Sequence, residues 1–193
     1  MTTTVLVPHT KVPGSNGQSL DPDTVRLLHE HVPDDVVIEW REIDPARTTQ
    51  YSEILREAWL WPGDLVVVEH DIHVPAGFIE GFQTCRQPWC SHPYPGPSDM
   101  LINSLGCVRF TAHLKNSLPD LMAKAVGMDP ALDGGAVPAG DWRRMDTRIA
   151  CQLQSLGHVA HPHEPPAGHK HYPNEQDILA EHIPSVHPRL AQW

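Results

Sequence analysis

Leu65-Val66-Val67-Val68-Glu69-His70-Asp71-Ile72-His73-Val74-Pro75 is the stretch on which the architecture turns. Four consecutive apolar residues, three of them β-branched, read as a strand covered on both faces, the pattern of a parallel sheet. Upstream, Tyr51, Ile54, Leu55 and Ala58 recur at helical spacing and are stopped by Pro62-Gly63. Further back, Val36-Val37-Ile38 begins another strand. Before that, Asp21-Pro22-Asp23 carries the marks of a helix start: a capping acid, a proline suited to the first turn, and acids at the positive end. Val5-Leu6-Val7, closed by Pro8, is the first strand. Downstream, Phe78, Ile79 and Phe82 predict a helix. Strand alternates with helix three times, which predicts a three-layer α/β/α fold around a mostly parallel sheet.

Ligands of open α/β sheets bind beyond the carboxyl ends of the strands. Glu69 and Asp71 stand at that end of the third strand. On extended backbone, residues i and i+2 project the same way. A buried apolar strand running into two carboxylates is costly unless a cation is near, and oxygen ligands suit Mn²⁺ or Mg²⁺. The alternative is a solvated turn with two acids.

The second half is less regular. Residues 86 to 99 hold four prolines and predict irregular chain, while Leu105 to Phe110 fit a short strand. Leu114, Leu118, Leu121, Met122 and Ala125 lie on helical faces broken by Pro119 and closed by Gly127. Asp129 to Gly140 reads as a loop. A helix is expected from about Trp142 to Leu156, with Met145, Ile149, Leu153 and Leu156 inward and Gly157 as its cap. A His-rich loop, His158 to His171, follows. The expected organisation is one domain over residues 1–175, then a tail helix and arm over 176–193.

Composition narrows the function. The chain has 193 residues and a formal net charge of −10, which disfavours a general nucleic-acid binder. The same charge obliges any anionic ligand to find local cations or a metal. The longest strongly apolar run, Leu65 to Val68, is too short to span a bilayer. The start, Met1-Thr2-Thr3-Thr4, carries no signal-peptide pattern. Four cysteines in a chain of this length do not make a disulfide scaffold, so a cytoplasmic protein with reduced thiols is expected.

Read onward, the strand, the acid-x-acid motif and the apolar-x-apolar-Pro sequence of Val66 to Pro75 resemble the GT-A nucleotide-sugar glycosyltransferases, especially the family-two-like branch. Glu69 stands where that family usually has Asp. Asp146, Gly157 and His169 or His171 resemble the family's acid opening a late helix, its glycine about three turns on, and the histidine of the next loop. Val5-Leu6-Val7-Pro8 is similar to its first strand, and Gln87 to Tyr94 is similar to small glycosyltransferase-like proteins of actinobacterial phages. The resemblance covers roughly residues 4 to 171. It departs at Gln152, near a position where the family often has Arg, and at Trp40-Arg41-Glu42-Ile43-Asp44, which lacks the common D-x-S turn.

The resemblance implies a metal-dependent, inverting sugar transfer from a nucleotide-sugar donor to a hydroxyl acceptor, whether a glycan, a protein or a modified nucleobase. Asp146 would be the general base. Asp71, with His169 or His171, would hold Mn²⁺ or Mg²⁺. Glu69 would face the ribose or a metal-bound water. Pro8, His9 and Thr10 would line the nucleotide pocket. Trp142, one turn from Asp146, would be a sugar platform on the acceptor side. In so short a chain the acceptor-side elements would be minimal or supplied by a second protomer.

Two other readings stay open: a degenerate fold that only binds nucleotide or glycan, and a non-catalytic zinc module built on Cys85, Cys90, His92 and Cys107. The C-x₄-C spacing is looser than that of common zinc motifs, and buried thiols are the simpler expectation. His158, His161, His163, His169 and His171 either chelate metal or form a polar loop. His73 reads either as a further metal neighbour or, as strand-end histidines more often are, as a surface residue. Trp40, Trp59, Trp61 and Trp89 are expected to pack rather than bind sugar.

Overall fold

The computed structural model describes residues 2–10, 20–44, 47, 49–95, 101–103, 105–127 and 145–170. The expectations for the loop at 129–140, for Trp142 and His171, and for the tail over 176–193 lie outside the described residues.

The first half follows the predicted alternation: β1 (Thr3–His9), α1 (Pro22–His31), β2 (Val37–Glu42), α2 (Gln50–Trp59), β3 (Asp64–Val68), the two-residue β4 (Ile72–His73) and α3 (Phe78–Thr84). The Asp21 carboxylate caps α1, accepting from the Thr24 N–H at 3.0 Å, with Pro22 in the first turn as its missing N–H allows. Then come β5 (Trp89–Ser91), β6 (Tyr94–Pro95), β7 (Leu101–Ile102), β8 (Cys107–Phe110), α4 (Ala112–Ser117), α5 (Leu121–Val126), α6 (Met145–Ser155), β9 (His161–Pro162) and β10 (Gly168–His169).

The central sheet has the order β2-β1-β3-β8-β5-β9. β1 pairs in parallel with both β2 and β3, and β5 pairs in parallel with β9. β8 runs antiparallel to β3 and β5, so it alone opposes the common direction within this sheet. Side chains alternate between two cores. Val5, Val7, Val66 and Val68 join Leu28, Phe78, Ile79 and Phe82 of α1 and α3 on one face. Leu6, Leu65 and Val67 join Tyr51, Leu55, Trp59, Ala125, Ile149 and Leu153 of α2, α5 and α6 on the other. This is the three-layer, mostly parallel α/β architecture that the hydrophobic pattern predicts. Phe110 anchors the second core between Trp59, edge-on at 5.2 Å, and Trp89, stacked at 6.0 Å. Those two tryptophans therefore pack, as expected; each such aromatic pair is worth roughly 0.5–1.5 kcal/mol beyond its buried area.

Three local expectations are corrected. The proline-rich stretch after residue 86 contains β5, a fully buried strand of the central sheet. The three residues of β5, set between Pro88 and Pro93, are too few to show a period. Leu156, expected inward, is 52% exposed, because α6 ends at Ser155 and Gly157 adopts φ +82° to reverse the chain. The extended backbone expected through Glu69 and Asp71 stops at Val68; the Ile72 N–H bonds the Glu69 carbonyl at 3.1 Å, closing a turn, so the i, i+2 alternation does not govern the two acids. Among the described residues no helix is long and apolar enough to cross a membrane.

Candidate active site

The order β2-β1-β3 makes the gap between β1 and β3 a topological switch point, because α1 and α2 leave to opposite faces. Crevices form beyond the carboxyl ends of strands at such points. His9 and Thr10 lie at that end of β1, and Glu69 and Asp71 at that end of β3. His9 Nδ1 and Thr10 Oγ1 are buried without a hydrogen-bond partner, an arrangement that costs free energy unless a ligand or water completes it. Burial lowers the His9 pKa, against the opposing pull of Glu42, and so favours a neutral imidazole.

After the turn, β4 pairs antiparallel with β10, matching Ile72 with His169 and His73 with Gly168. The Lys170 N–H also donates to the Asp71 carbonyl at 3.0 Å. This small ladder carries His169 across 98 residues of sequence to Asp71, with Nε2 3.3 Å from Asp71 Oδ2. Two of the predicted metal ligands are thus brought together. On its other side, His169 Nδ1 lies 3.0 Å from the Pro95 carbonyl, an acceptor only, so Nδ1 carries the proton. Nε2 then either holds a second proton and donates to Asp71, or turns a lone pair toward a carboxylate. The second state is stable only with a cation between them. Burial pushes the Asp71 carboxyl up, but the His169 hydrogen bond and the nearby His70 outweigh it and hold the pKa below the ordinary value.

Glu69 faces α2 instead. Its Oε1 accepts from the Tyr51 hydroxyl at 2.8 Å. Burial, then the charges of Asp71 and Asp146, push its carboxyl up to about 7, with the Tyr51 bond opposing. Burial and Glu69 raise the Tyr51 phenol well above its usual range, so Tyr51 remains a donor. Asp146, in the first turn of α6, adds its charge to the upward push on both Glu69 and Tyr51, so it lies within electrostatic range of them. Its Oδ1 accepts from the Thr147 N–H at 2.6 Å and lies 3.3 Å from the Thr147 hydroxyl. Two carboxylates and an imidazole therefore gather where β1 and β3 end, within electrostatic range of a third carboxylate at Asp146.

Sequence reasoning missed Tyr51 and Tyr94. The Tyr94 ring packs edge-on to His169 at 5.1 Å. It can lie there because a Cβ at position 106 would collide with it, and Gly106 has none. Lys170 and His73 were also missed as structural ties. Their nitrogens lie 2.5 and 2.8 Å from the two carboxylate oxygens of Asp21, which is wholly buried. Asp21, Asp23 and His73 are close enough to chelate, but the Lys170 ammonium already supplies the cation. The pairing pulls the Asp21 carboxyl down to about 2, against burial. His73, its side chain 30% exposed, is accordingly tied to Asp21 at the edge of the surface.

The thiols are arranged differently from the expected set. Cys85, Cys90 and His163 offer ligand atoms within 4.8 Å of one another, and Cys107 does not join them. It lies on β8, where Cys90 is in register with Arg109 rather than with Cys107. Burial, with Cys85 adding to it, pushes the Cys90 thiol up to about 12, so Cys90 without a metal is no reactive thiolate.

No protein-family model matches the chain, and no curated protein matches it either. Among solved structures, the chain is similar to A197 from STIV, with TM-score 0.49 and 11% identity over 89% of this chain and 87% of that one. It is also similar to a Bacillus anthracis protein assigned as a glucose-1-phosphate thymidylyltransferase, in complex with a sucrose. There the TM-score is 0.49 and the identity 10%, over 86% of this chain and 87% of that one. Neither likeness bears on the chemistry of the site.

Proposed function

We propose that this chain is a metal-dependent glycosyltransferase that moves a sugar from a nucleotide-sugar donor to a hydroxyl acceptor with inversion. The observation that carries the reading is the Asp71–His169 pair at the switch point: a carboxylate faced by an imidazole nitrogen whose partner nitrogen is committed to a carbonyl. Such outer anchoring is how proteins orient histidine ligands. The carboxylate, with water and diphosphate oxygens, fits Mn²⁺ or Mg²⁺, and the single imidazole tips the pair toward Mn²⁺. Glu69 does not close a three-ligand cage with them; among the described residues no such group includes it. Water and the donor diphosphate would complete the shell.

Asp71 and His169 would hold the ion, which supplies Lewis-acid stabilisation for the departing diphosphate. His9 and Thr10 would turn their unpaired polar atoms to the nucleotide, with Pro8 packing beside them. Glu69, part protonated near neutrality, would meet the ribose as donor or acceptor. Asp146 would take the proton of the acceptor hydroxyl as its oxygen attacks the anomeric carbon from the face opposite the leaving diphosphate. One base serves a single displacement, so inversion follows. A cation at Asp71 also reconciles an anionic donor with a chain of net charge −10.

The test is a panel of nucleotide sugars with Mn²⁺, read as nucleoside diphosphate release and as thermal shift. Asp146→Asn should reduce turnover by about 10²–10⁴-fold while leaving Mn²⁺-dependent donor binding intact. Unchanged turnover would remove Asp146 as the base. Binding without turnover in the unaltered chain would leave a nucleotide- or glycan-binding fold in place of an enzyme.

A further inference from the structure

We propose that Cys85, Cys90 and His163, with His92 at the fourth position, form a structural zinc site separate from the crevice at β1 and β3. Three elements converge there: the C-terminal end of α3 at Cys85, β5 at Cys90, and the chain just after β9 at His163. His163 is seated by its own backbone, its N–H donating to the Ser91 carbonyl at 2.8 Å. Two sulfurs and an imidazole within 4.8 Å need only a modest contraction to surround one ion, since zinc lies about 2.3 Å from sulfur and about 2.0–2.1 Å from nitrogen.

The histidines give the independent observation. His92 is 3% exposed, and its Nδ1 lies 2.8 Å from the Pro165 carbonyl, so that nitrogen carries the proton. Its Nε2 keeps a bare lone pair, buried and without a partner; His163 Nε2 is equally buried and unpartnered. The two rings lie 5.2 Å apart and both border Gly81 of α3. A Cβ placed there would stand 3.7 Å from His163 Nδ1 and 4.0 Å from His92 Nε2. A buried, unpartnered imidazole nitrogen on His163 beside two thiols, with that of His92 close by, is costly in an empty core and natural around a metal.

A disulfide between Cys85 and Cys90 would use the thiols but leave both imidazole nitrogens unsatisfied. The donor set also selects the ion: thiolate and imidazole favour zinc over magnesium or manganese. Arg109 Nη1 donates to the Cys85 carbonyl at 3.0 Å and lies 3.8 Å from Cys90 Sγ, an N–H aimed at a sulfur that would bear charge. Its own charge is balanced by Asp64, 2.8 Å from Nε. His92 stands outside the three residues whose ligand atoms lie within 4.8 Å of one another, so its ring would have to swing in; four protein ligands would then leave no open position, and the role is structural. The ion would pin the segment that continues, six residues after His163, to His169.

The test begins with the full chain expressed without added metal and purified without chelator. Mass spectrometry of the metal content should find one zinc per chain. Replacement by Co²⁺ should give the visible bands of a tetrahedral ion and a thiolate-to-cobalt charge-transfer band. Cys85→Ser and His163→Ala, both at half-buried positions, should each weaken zinc binding at least tenfold, whereas His169→Ala should leave zinc content unchanged. The cobalt spectrum needs no variant, so a poorly folding variant does not blunt the test. Negligible zinc with no charge-transfer band overturns the site, as does a Cys85–Cys90 disulfide in the intact mass.

Discussion

His92 and His169 are anchored alike and aimed at opposite chemistries. Each commits Nδ1 to a proline carbonyl, Pro165 for one and Pro95 for the other. Nε2 of His169 meets the Asp71 carboxylate, while Nε2 of His92 is buried without a partner, its ring 5.2 Å from that of His163. One region offers a carboxylate with one imidazole at a crevice; the other offers two sulfurs with imidazole nitrogen near the end of α3. On the two proposals, the same anchoring device would serve an exchangeable ion in one place and a permanent one in the other, with the neighbours deciding which.

The largest expected effect breaks the comparison at its catalytic side. Asp71→Asn should lower Mn²⁺-dependent turnover on the order of 10²–10³-fold, the loss typical of removing one electrostatic stabiliser. Zinc content should not change. A parallel loss of zinc would mean that the two regions are one coupled unit. Next is Asp21→Ala, which removes the cap of α1 and strands His73 and Lys170. Chemical denaturation should show a loss of about 2–4 kcal/mol. Hydrogen exchange should quicken at Gly168 to Lys170 and stay unchanged at His163.

Glu69 sharpens the contrast through pH. Its folded pKa of about 7 exceeds the ordinary 4.5, so between those values the folded state binds the proton more tightly. Its contribution to stability is fully present below about pH 4.5 and is lost as pH rises through 7. Glu69→Gln should therefore stabilise the metal-free chain by about 1–3 kcal/mol at pH 8 and have no effect of this origin at pH 4.5. Thermal melts across that range check it, and equal effects at both ends refute it. The smallest effect belongs to Tyr51→Phe. It should cost about 0.5–1.5 kcal/mol and, by removing a hydrogen bond to the carboxylate, raise the Glu69 pKa further, as read by NMR titration of that carboxyl.

How much of this the sequence disclosed depends on length scale. β1 to β3 and the helices between them are legible because Val66 to Val68 and the Tyr51–Ala58 stripe carry their own period. Glu69 and Asp71 are legible by position at a strand end. His169 is named only through family resemblance, since nothing local ties it to Asp71. β5, β9 and β10 are two or three residues long, too short for periodicity, and two of them place His163 and His169. The zinc set was half visible: Cys85, Cys90 and His92 lie within eight residues, but His163 joins them only through the pairing of β5 with β9. Cys107 is near in sequence terms yet lies on the neighbouring strand out of register. Asp21 reads as a cap, and its bond to Lys170 spans 149 residues.

The two-residue ladder between β4 and β10 has a thermodynamic consequence. So short a patch can open while the central sheet stays folded. On opening, Asp71 loses its imidazole whereas Glu69 keeps Tyr51, so half of the crevice persists and half does not. Any ligand that needs both halves binds with its intrinsic affinity scaled by the fraction of molecules in which the segment is docked, and any contact that holds His163 in place raises that fraction from outside the pocket.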